Sequence, residues 1–192
     1  MPRADRCHFV PLASSQLGQV PGSWSADGSR LAYVEFKSRT LSEIWLLDRS
    51  TGRAARFATP TAQKVLPRLS PDGRWLAYES DASGRFEIEV ASLTRQSRIQ
   101  VSSDGGIWPA WSADSRQLFF LNAQTIFSAS ISERNGEVVA GNPVRLFSHP
   151  DLLLFRPVAD GFVWLRRTAE HLPLTRIDLV LGWPTELDRQ LR

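Results

Sequence analysis

One ten-residue phrase recurs in this chain at nearly constant spacing, and it constrains the fold more than any other feature. Each copy has an apolar residue and a serine, then a tight turn with aspartate, then an apolar run. The copies lie at 24–33, 69–78 and 111–120, and their aspartates Asp27, Asp72 and Asp114 are 45 and 42 residues apart. A strand-rich repeat of this period is typical of a β-propeller, in which each repeat forms one four-stranded antiparallel blade.

The residues around each turn predict the four strands of a blade. We predict first strands at 22–25, 67–70 and 109–112, and second strands at 31–36, 75–80 and 118–122. Third strands follow at 43–48, 87–91 and 125–129, and outer strands at 54–58, 97–101 and 144–148. An Asp-Gly pair suits such hairpins because glycine readily adopts the left-handed conformation. Ser115 replaces that glycine, so we expect a looser third turn, with strain of about 1 kcal/mol if Ser115 is left-handed.

A fourth, degenerate copy of the phrase lies at 155–165, where Asp160 follows Asp114 by 46 residues. The predicted third strand of this copy is 174–181. No outer strand follows before the charged tail at 182–192, whereas residues 8–13 resemble an outer strand without inner partners. We therefore predict one all-β domain over 1–192, with blades at about 19–60, 61–103, 104–149 and 150–181. Either strand 8–13 completes the last blade of a closed four-bladed ring, or the chain is a fragment of a larger propeller.

Charge and hydropathy exclude several classes of protein. The net charge is +3, but the 23 basic residues are interleaved with 20 acidic ones, so no basic stripe predicts a nucleic-acid partner. No apolar run is long enough for a membrane span or a signal peptide. We therefore predict a cytoplasmic protein as given, periplasmic if part of a longer chain, with no membrane insertion. Cys7 is the sole cysteine and forms no internal disulfide.

The turn phrase resembles the WD40-like repeat of TolB propellers, the PD40 type. Its pattern is apolar-Ser-Pro-Asp-Gly-Arg-x-apolar-Ala-Tyr, then Glu-Ile-(Trp/Tyr)-Val, and 69–78 with 87–90 match it almost letter for letter. The resemblance covers roughly residues 8–165 and implies a propeller of that family, whose members usually have six or more blades. Segments 105–111, 117–121, 141–147 and 179–183 look like the final blades of propellers fused behind bacterial serine/threonine kinases. No kinase motif is present in this sequence.

The sequence contains no recognisable set of catalytic or metal-binding residues. His8, His149 and His171 lie in dissimilar contexts without the spacing of a zinc site, and no Gly-x-Ser-x-Gly elbow occurs. Cys7 and His8 are adjacent, so on a strand they would point to opposite faces. The repeated aspartates could attract Ca²⁺, but hairpin chemistry explains them without a ligand. We therefore predict no enzyme, no catalytic residue, no cofactor and no metal site.

The function that these observations favour is a scaffold that binds a protein or peptide, or senses a ligand, at one rim. Loops 37–42 and 81–86 are longer than their counterpart 122–124, and Glu43 and Glu87 are expected to be cross-strand or loop partners of arginines. The predicted binding residues are Trp108, Lys37, Arg39 and Arg85, with Trp108 as a possible interface anchor. Two alternatives stay open, namely the gating propeller of a prolyl-oligopeptidase-like peptidase and a truncated remnant. The sequence does not predict the oligomeric state.

Overall fold

A computed structural model describes residues 12–57, 61–95, 97–166 and 177–181. All sixteen regular elements in these ranges are β-strands, arranged in four antiparallel sheets. No helix that could span a membrane occurs in the described part of the chain. The all-β fold class and its antiparallel blades are thereby confirmed.

The strands follow the repeat closely. Blade 1 contains β1 Gly18–Trp24, β2 Arg30–Phe36, β3 Ser42–Asp48 and β4 Ala54–Arg56. Blade 2 contains β5 Lys64–Leu69, β6 Trp75–Ser80, β7 Glu87–Ser92 and β8 Arg98–Gln100. Blade 3 contains β9 Ile107–Trp111, β10 Gln117–Asn122, β11 Thr125–Arg134, β12 Glu137–Ala140 and β13 Val144–Ser148. Blade 4 contains β14 Leu152–Val158, β15 Gly161–Arg166 and β16 Ile177–Leu181.

The first strands of blades 1, 2 and 3 begin two to four residues earlier than the sequence predicts, because each continues through a β-bulge. The register shifts occur between Pro21 and Ser23 in β1, and between Val65 and Arg68 in β5. In β5 and β9 the bulge includes a residue with positive φ directly before a proline, Leu66 at 50° and Trp108 at 59°. A bulge bends the strand and re-aims side chains, which no periodic pattern reveals.

The core consists of apolar layers between consecutive blades. Ala32, Val34 and Ile44 of blade 1 pack against Leu76 and Tyr78 of blade 2, and similar layers join blade 2 to blade 3 and blade 3 to blade 4. Both faces of β6 are therefore buried along its whole length. This burial explains why the second strands are nearly continuous apolar runs in the sequence.

The strand prediction for blade 3 was incomplete. β11 extends to Arg134 and pairs with β12 through a tight Asn135-Gly136 turn, in which both residues have positive φ. The hairpin reaches back to blade 2, where the Val138 backbone N–H donates to Ser97 Oγ at 2.9 Å. Val138 also lies in the apolar layer between blades 2 and 3. Asn-Gly is a strong hairpin signal, so this element could have been found from the sequence.

The expectation of a looser third turn was wrong. Ser115 has a φ of 63°, and its N–H donates to Ser112 O at 3.0 Å, which is the bond that Gly73 makes to Ser70 in blade 2. The side chain of Ser115 is buried, and its hydroxyl accepts a hydrogen bond from the Asp72 N–H at 3.0 Å. The serine therefore offsets its backbone strain by linking two neighbouring turns.

The four blades follow one another in sequence order. β5 packs on blade 1, β9 on β5 and β6, and β14 on β9. Among the strands that the structure describes, none in blade 4 packs broadly against blade 1. Of the predicted strand 8–13, residues 8–11 lie outside the described ranges, and Leu12 and Ala13 form no strand. The closed four-bladed ring and the larger propeller both stay predictions.

Candidate functional site

The hairpins between first and second strands form one rim, which we call the turn rim (25–29, 70–74 and 112–116). Its aspartates accept hydrogen bonds from the serine two residues earlier, as Asp27 does from Ser25 Oγ at 2.6 Å. Each also accepts the backbone N–H two residues later. Hydrogen bonds from Ser25 and then Ser29 lower the pKa of Asp27 to about 2. The interpretation of these aspartates as turn chemistry is confirmed.

Of the three histidines and the single cysteine, the structure describes only His149. Cys7, His8 and His171 lie outside the described ranges. His149 packs its ring 4.7 Å from the ring of Trp164, between blades 3 and 4. No group of three His, Cys, Asp or Glu side chains that could hold a metal ion occurs in the ranges that the structure describes.

The opposite rim, which we call the loop rim, carries the connections between second and third strands, at 37–41, 81–86 and 123–124. In blade 1 the Glu43 carboxylate is 3% exposed and lies 3.3 Å from Lys37 Nζ and 3.2 Å from Arg56 Nη1. Lys37 also pairs with Glu35 at 2.6 Å. The predicted binding residue Lys37 therefore holds its own loop against two buried carboxylates.

Blade 2 repeats this arrangement with Glu87, which is 2% exposed. Its Oε1 accepts from Arg85 Nε and from the Gly105 N–H, both at 2.9 Å. Arg85 also donates to Asp104 Oδ1 at 3.0 Å and to Ser103 O at 2.7 Å. The expected pairing of Glu43 and Glu87 with arginines is thereby confirmed. The two buried glutamates thus tie the loops 37–41 and 81–86 to the body of their blades.

The other two predicted binding residues, Arg39 and Trp108, differ in their exposure. Arg39 is exposed in the 37–41 loop and has no ion-pair partner among the described residues. Trp108 lies on β9 and is half-buried instead of standing at an open rim. Its backbone N–H donates to Glu79 Oε1 at 2.6 Å, and the Arg156 guanidinium lies 5.9 Å from the centre of its ring.

These contacts define a group on the inner edges of blades 2, 3 and 4, which we call the inner-edge cluster: Arg68, Glu79, Trp108 and Arg156. Arg68 lies on β5, donates from Nη1 to Gly22 O of β1 and is half-buried. Arg156 is exposed on β14 and donates to Phe155 O at 2.9 Å. Within the described ranges, neither guanidinium lies within 4.0 Å of a carboxylate oxygen.

The electrostatics of the inner-edge cluster are unbalanced. Burial lowers the pKa of Arg68, and the positive charge of Arg156 lowers it further. Glu79, which is 4% exposed, has its pKa raised to about 7 because burial outweighs the Trp108 hydrogen bond and the charge of Arg68. The cluster carries a net positive charge at neutral pH, because two guanidinium groups face one carboxylate.

The sequence analysis overlooked Arg68, Glu79 and Arg156. A signal was available, because Arg68 and Arg156 both lie four residues before the aspartate of their blade's turn. The equivalent residues in blades 1 and 3 are Ser23 and Ala110, which are small. Aligning the repeats would have shown that two arginines occupy one inner-strand position.

Comparison with known proteins agrees with this architecture. A family model described as "TolB beta propeller domain" (PD40) matches residues 5–137, which is more than half of the chain. The chain belongs to the TolB β-propeller family. The predicted resemblance to PD40 propellers is confirmed, whereas no comparison shows a likeness to kinase-fused blades.

Relatives of this TolB-family chain are longer proteins. The "Uncharacterized peptidase YuxL" of Bacillus subtilis is 30% identical over 103 residues, which are 50% of this chain and 16% of the relative. The crystal structure of TolB from Acinetobacter baumannii superposes with a TM-score of 0.67 and 20% identity, covering 89% of this chain and 45% of TolB. The acylaminoacyl peptidase of Pyrococcus horikoshii superposes with a TM-score of 0.53 and 15% identity, covering 85% of this chain and 32% of the peptidase. The structural likenesses show the propeller fold, and this chain spans less than half the length of each of these three proteins.

Proposed function

We propose that this TolB-family chain is a non-catalytic platform that binds a protein or peptide segment on its loop rim and the adjoining inner edges. The observation that carries the proposal is the repeated fixing of the rim loops by Glu43 and Glu87. Loops held in one conformation lose little entropy on binding, which favours recognition of a partner. Arg39 is exposed in one of these loops, and Glu79 of the inner-edge cluster lies near the end of β6, just before the other.

The chemistry of the rim supports binding in preference to catalysis. Its two most buried carboxylates are engaged by cations, so they are structural groups and not poised acids or bases. Basic and acidic side chains alternate along the rim, as with Lys37 beside Glu35 and Arg85 beside Asp104. A mixed pattern of this kind suits a peptide with polar side chains better than a nucleic-acid backbone. The absence of a nucleic-acid partner and the cytoplasmic location stay predictions, with the periplasm as alternative.

Selection from a random displayed peptide library tests the proposal. Peptides selected on the wild-type chain are measured by isothermal titration calorimetry against Arg39→Glu, which reverses a charge on the loop rim. Arg49→Glu reverses an exposed charge on the opposite side, in the β3–β4 turn, and is the matched control. We expect Arg39→Glu to weaken binding roughly tenfold and Arg49→Glu to leave it unchanged. Equal effects of both variants, or selection of no peptide, would contradict a loop-rim platform.

A second candidate is the gating propeller of a serine peptidase, favoured by the peptidase names of the Bacillus and Pyrococcus relatives. In that case the gene would encode a hydrolase domain beside this propeller. Labelling of the intact gene product with a fluorophosphonate probe distinguishes the two, because only an activated serine reacts. A kinase domain encoded upstream would instead support the kinase-fused alternative, and static light scattering that finds only aggregates would support a truncated remnant.

A further inference from the structure

The two arginines of the inner-edge cluster are neighbours because of how the blades stack. Arg68 and Arg156 occupy the same repeat position on β5 and β14, and the residue between them on β9 is Ala110. β9 packs against both β5 and β14, so the short alanine side chain separates two long cationic ones. Burial lowers the pKa of Arg68, and the charge of Arg156 is close enough to lower it further, against the opposing charge of Glu79.

Most of the hydrogen-bonding capacity of this pair is unused within the described structure. A guanidinium has five N–H donors. Arg68 donates one hydrogen bond to Gly22 O, and Arg156 donates one to Phe155 O at 2.9 Å. No carboxylate of the described residues comes within 4.0 Å of either group, so the remaining donors have no anionic acceptor in the part of the chain that the structure describes. Two guanidinium groups on strands that flank β9, each with unused donors, would be stabilised by an anion that accepts from both.

Trp108 fixes the geometry of Arg156. The indole ring lies 5.9 Å from the guanidinium carbon, so the cation lies over the aromatic ring. The Trp108 backbone has a φ of 59° and is followed by Pro109, and its N–H is held by Glu79. A bulky residue with positive φ is uncommon, and such conformations persist where the surroundings hold them. The strained bulge therefore positions a rigid platform for one arginine.

We propose that Arg68 and Arg156 form a carboxylate-binding site, which takes an acidic side chain or the terminal carboxylate of a bound peptide. The site rests on the proposed binding function and names the chemistry of its ligand. Planar guanidinium groups match carboxylates through paired N–H···O bonds, and stacking on an aromatic ring leaves the in-plane donors available. The inner-edge cluster thus supplies specificity, while the fixed loop rim supplies the surrounding surface.

The test uses two blocked hexapeptides, acetyl-Ala-Ala-Glu-Ala-Glu-Ala-amide and its Gln counterpart, titrated into the whole chain and followed by ¹⁵N NMR. We expect the Glu peptide to shift the Trp108 indole and Arg156 Nε–H signals and the Gln peptide to leave them unmoved. Arg156→Gln should weaken binding of the Glu peptide roughly tenfold. Arg116→Gln, an exposed arginine on the turn rim, is the matched control and should bind as the wild type does. Added salt should weaken the interaction.

The outcomes separate this site from the proposed function. If library peptides bind the loop rim but Arg156→Gln has no effect, the platform stands and the carboxylate site is wrong. If acetate shifts Trp108 and Arg156 while no peptide binds, the anion site stands and the peptide platform is wrong. Equal binding of the Glu and Gln peptides overturns the inference, as does inorganic phosphate that competes much better than acetate. No response to the Glu peptide, acetate or phosphate overturns it as well.

Discussion

Glu79 provides a direct test of the electrostatics of the inner-edge cluster. The residue is 4% exposed on β6, and its Oε1 accepts the Trp108 N–H at 2.6 Å. We predict that Glu79→Gln raises the free energy of unfolding at alkaline pH and removes much of its pH dependence. Glutamine keeps an oxygen that accepts from Trp108, and it carries no charge that burial penalises.

The magnitude follows from the pKa of Glu79. Burial raises it from 4.5 to about 7, against the opposing effects of the Trp108 hydrogen bond and of the positive charge on Arg68. Between these values the folded chain binds more protons than the unfolded chain, so stability falls as pH rises through the window. At 1.36 kcal/mol per pH unit the full difference is about 3 kcal/mol, which is the upper limit of the effect.

Urea denaturation followed by tryptophan fluorescence measures the effect. We expect the wild type and Glu79→Gln to be similar at about pH 4, and the variant to be about 1–3 kcal/mol more stable at about pH 8. Glu137→Gln changes an exposed glutamate on β12 and serves as the control. A difference between wild type and Glu79→Gln that stays constant with pH would refute the reasoning, as would a less stable variant at about pH 8.

Three further predictions concern the contacts between blades, each measured by urea denaturation. Ser115→Ala leaves the Asp72 N–H without its acceptor and should cost about 1–2 kcal/mol, whereas Ser115→Gly should cost less because it relieves about 1 kcal/mol of left-handed strain. Gly22→Ala should cost about 1–3 kcal/mol, because the new Cβ would lie 2.5 Å from Pro67 Cγ and 2.6 Å from Pro67 O. Val138→Ala should cost about 2 kcal/mol, because it removes buried methyl groups from the layer between blades 2 and 3.

Each of these predictions has an outcome that contradicts it. Ser115→Ala and Ser115→Gly of equal stability would mean that the backbone strain does not matter, and Ser115→Ala as stable as the wild type would mean that the hydroxyl does not. Gly18→Ala, whose Cβ would meet nothing within 4 Å, should be close to neutral, and a loss as large as that of Gly22→Ala would point to strand propensity instead of the clash. A neutral Val138→Ala would mean that the β11–β12 hairpin adds nothing to the core.

The blade unit could be predicted from the amino-acid sequence, because its signals are local. Each Asp-Gly turn and the apolar run after it specify a hairpin within about ten residues, and β6 has the predicted bounds. Strand β12 was not predicted, but the hairpin pair Asn135-Gly136 directly before it is a local signal of the same kind. Turn geometry depends on the φ preferences of single residues, which a sequence displays directly.

The candidate site could not be predicted from the sequence, because its members meet through the stacking of blades. Arg68 and Arg156 are 88 residues apart in sequence and become neighbours across Ala110 of a third blade. The raised pKa of Glu79 likewise comes from its burial between blades 2 and 3. Glu35 is also a glutamate on a second strand, but a hydrogen bond from Lys37 lowers its pKa. Local preference fixes where strands and turns lie, whereas charge, burial and pairing depend on what the next blade brings against them.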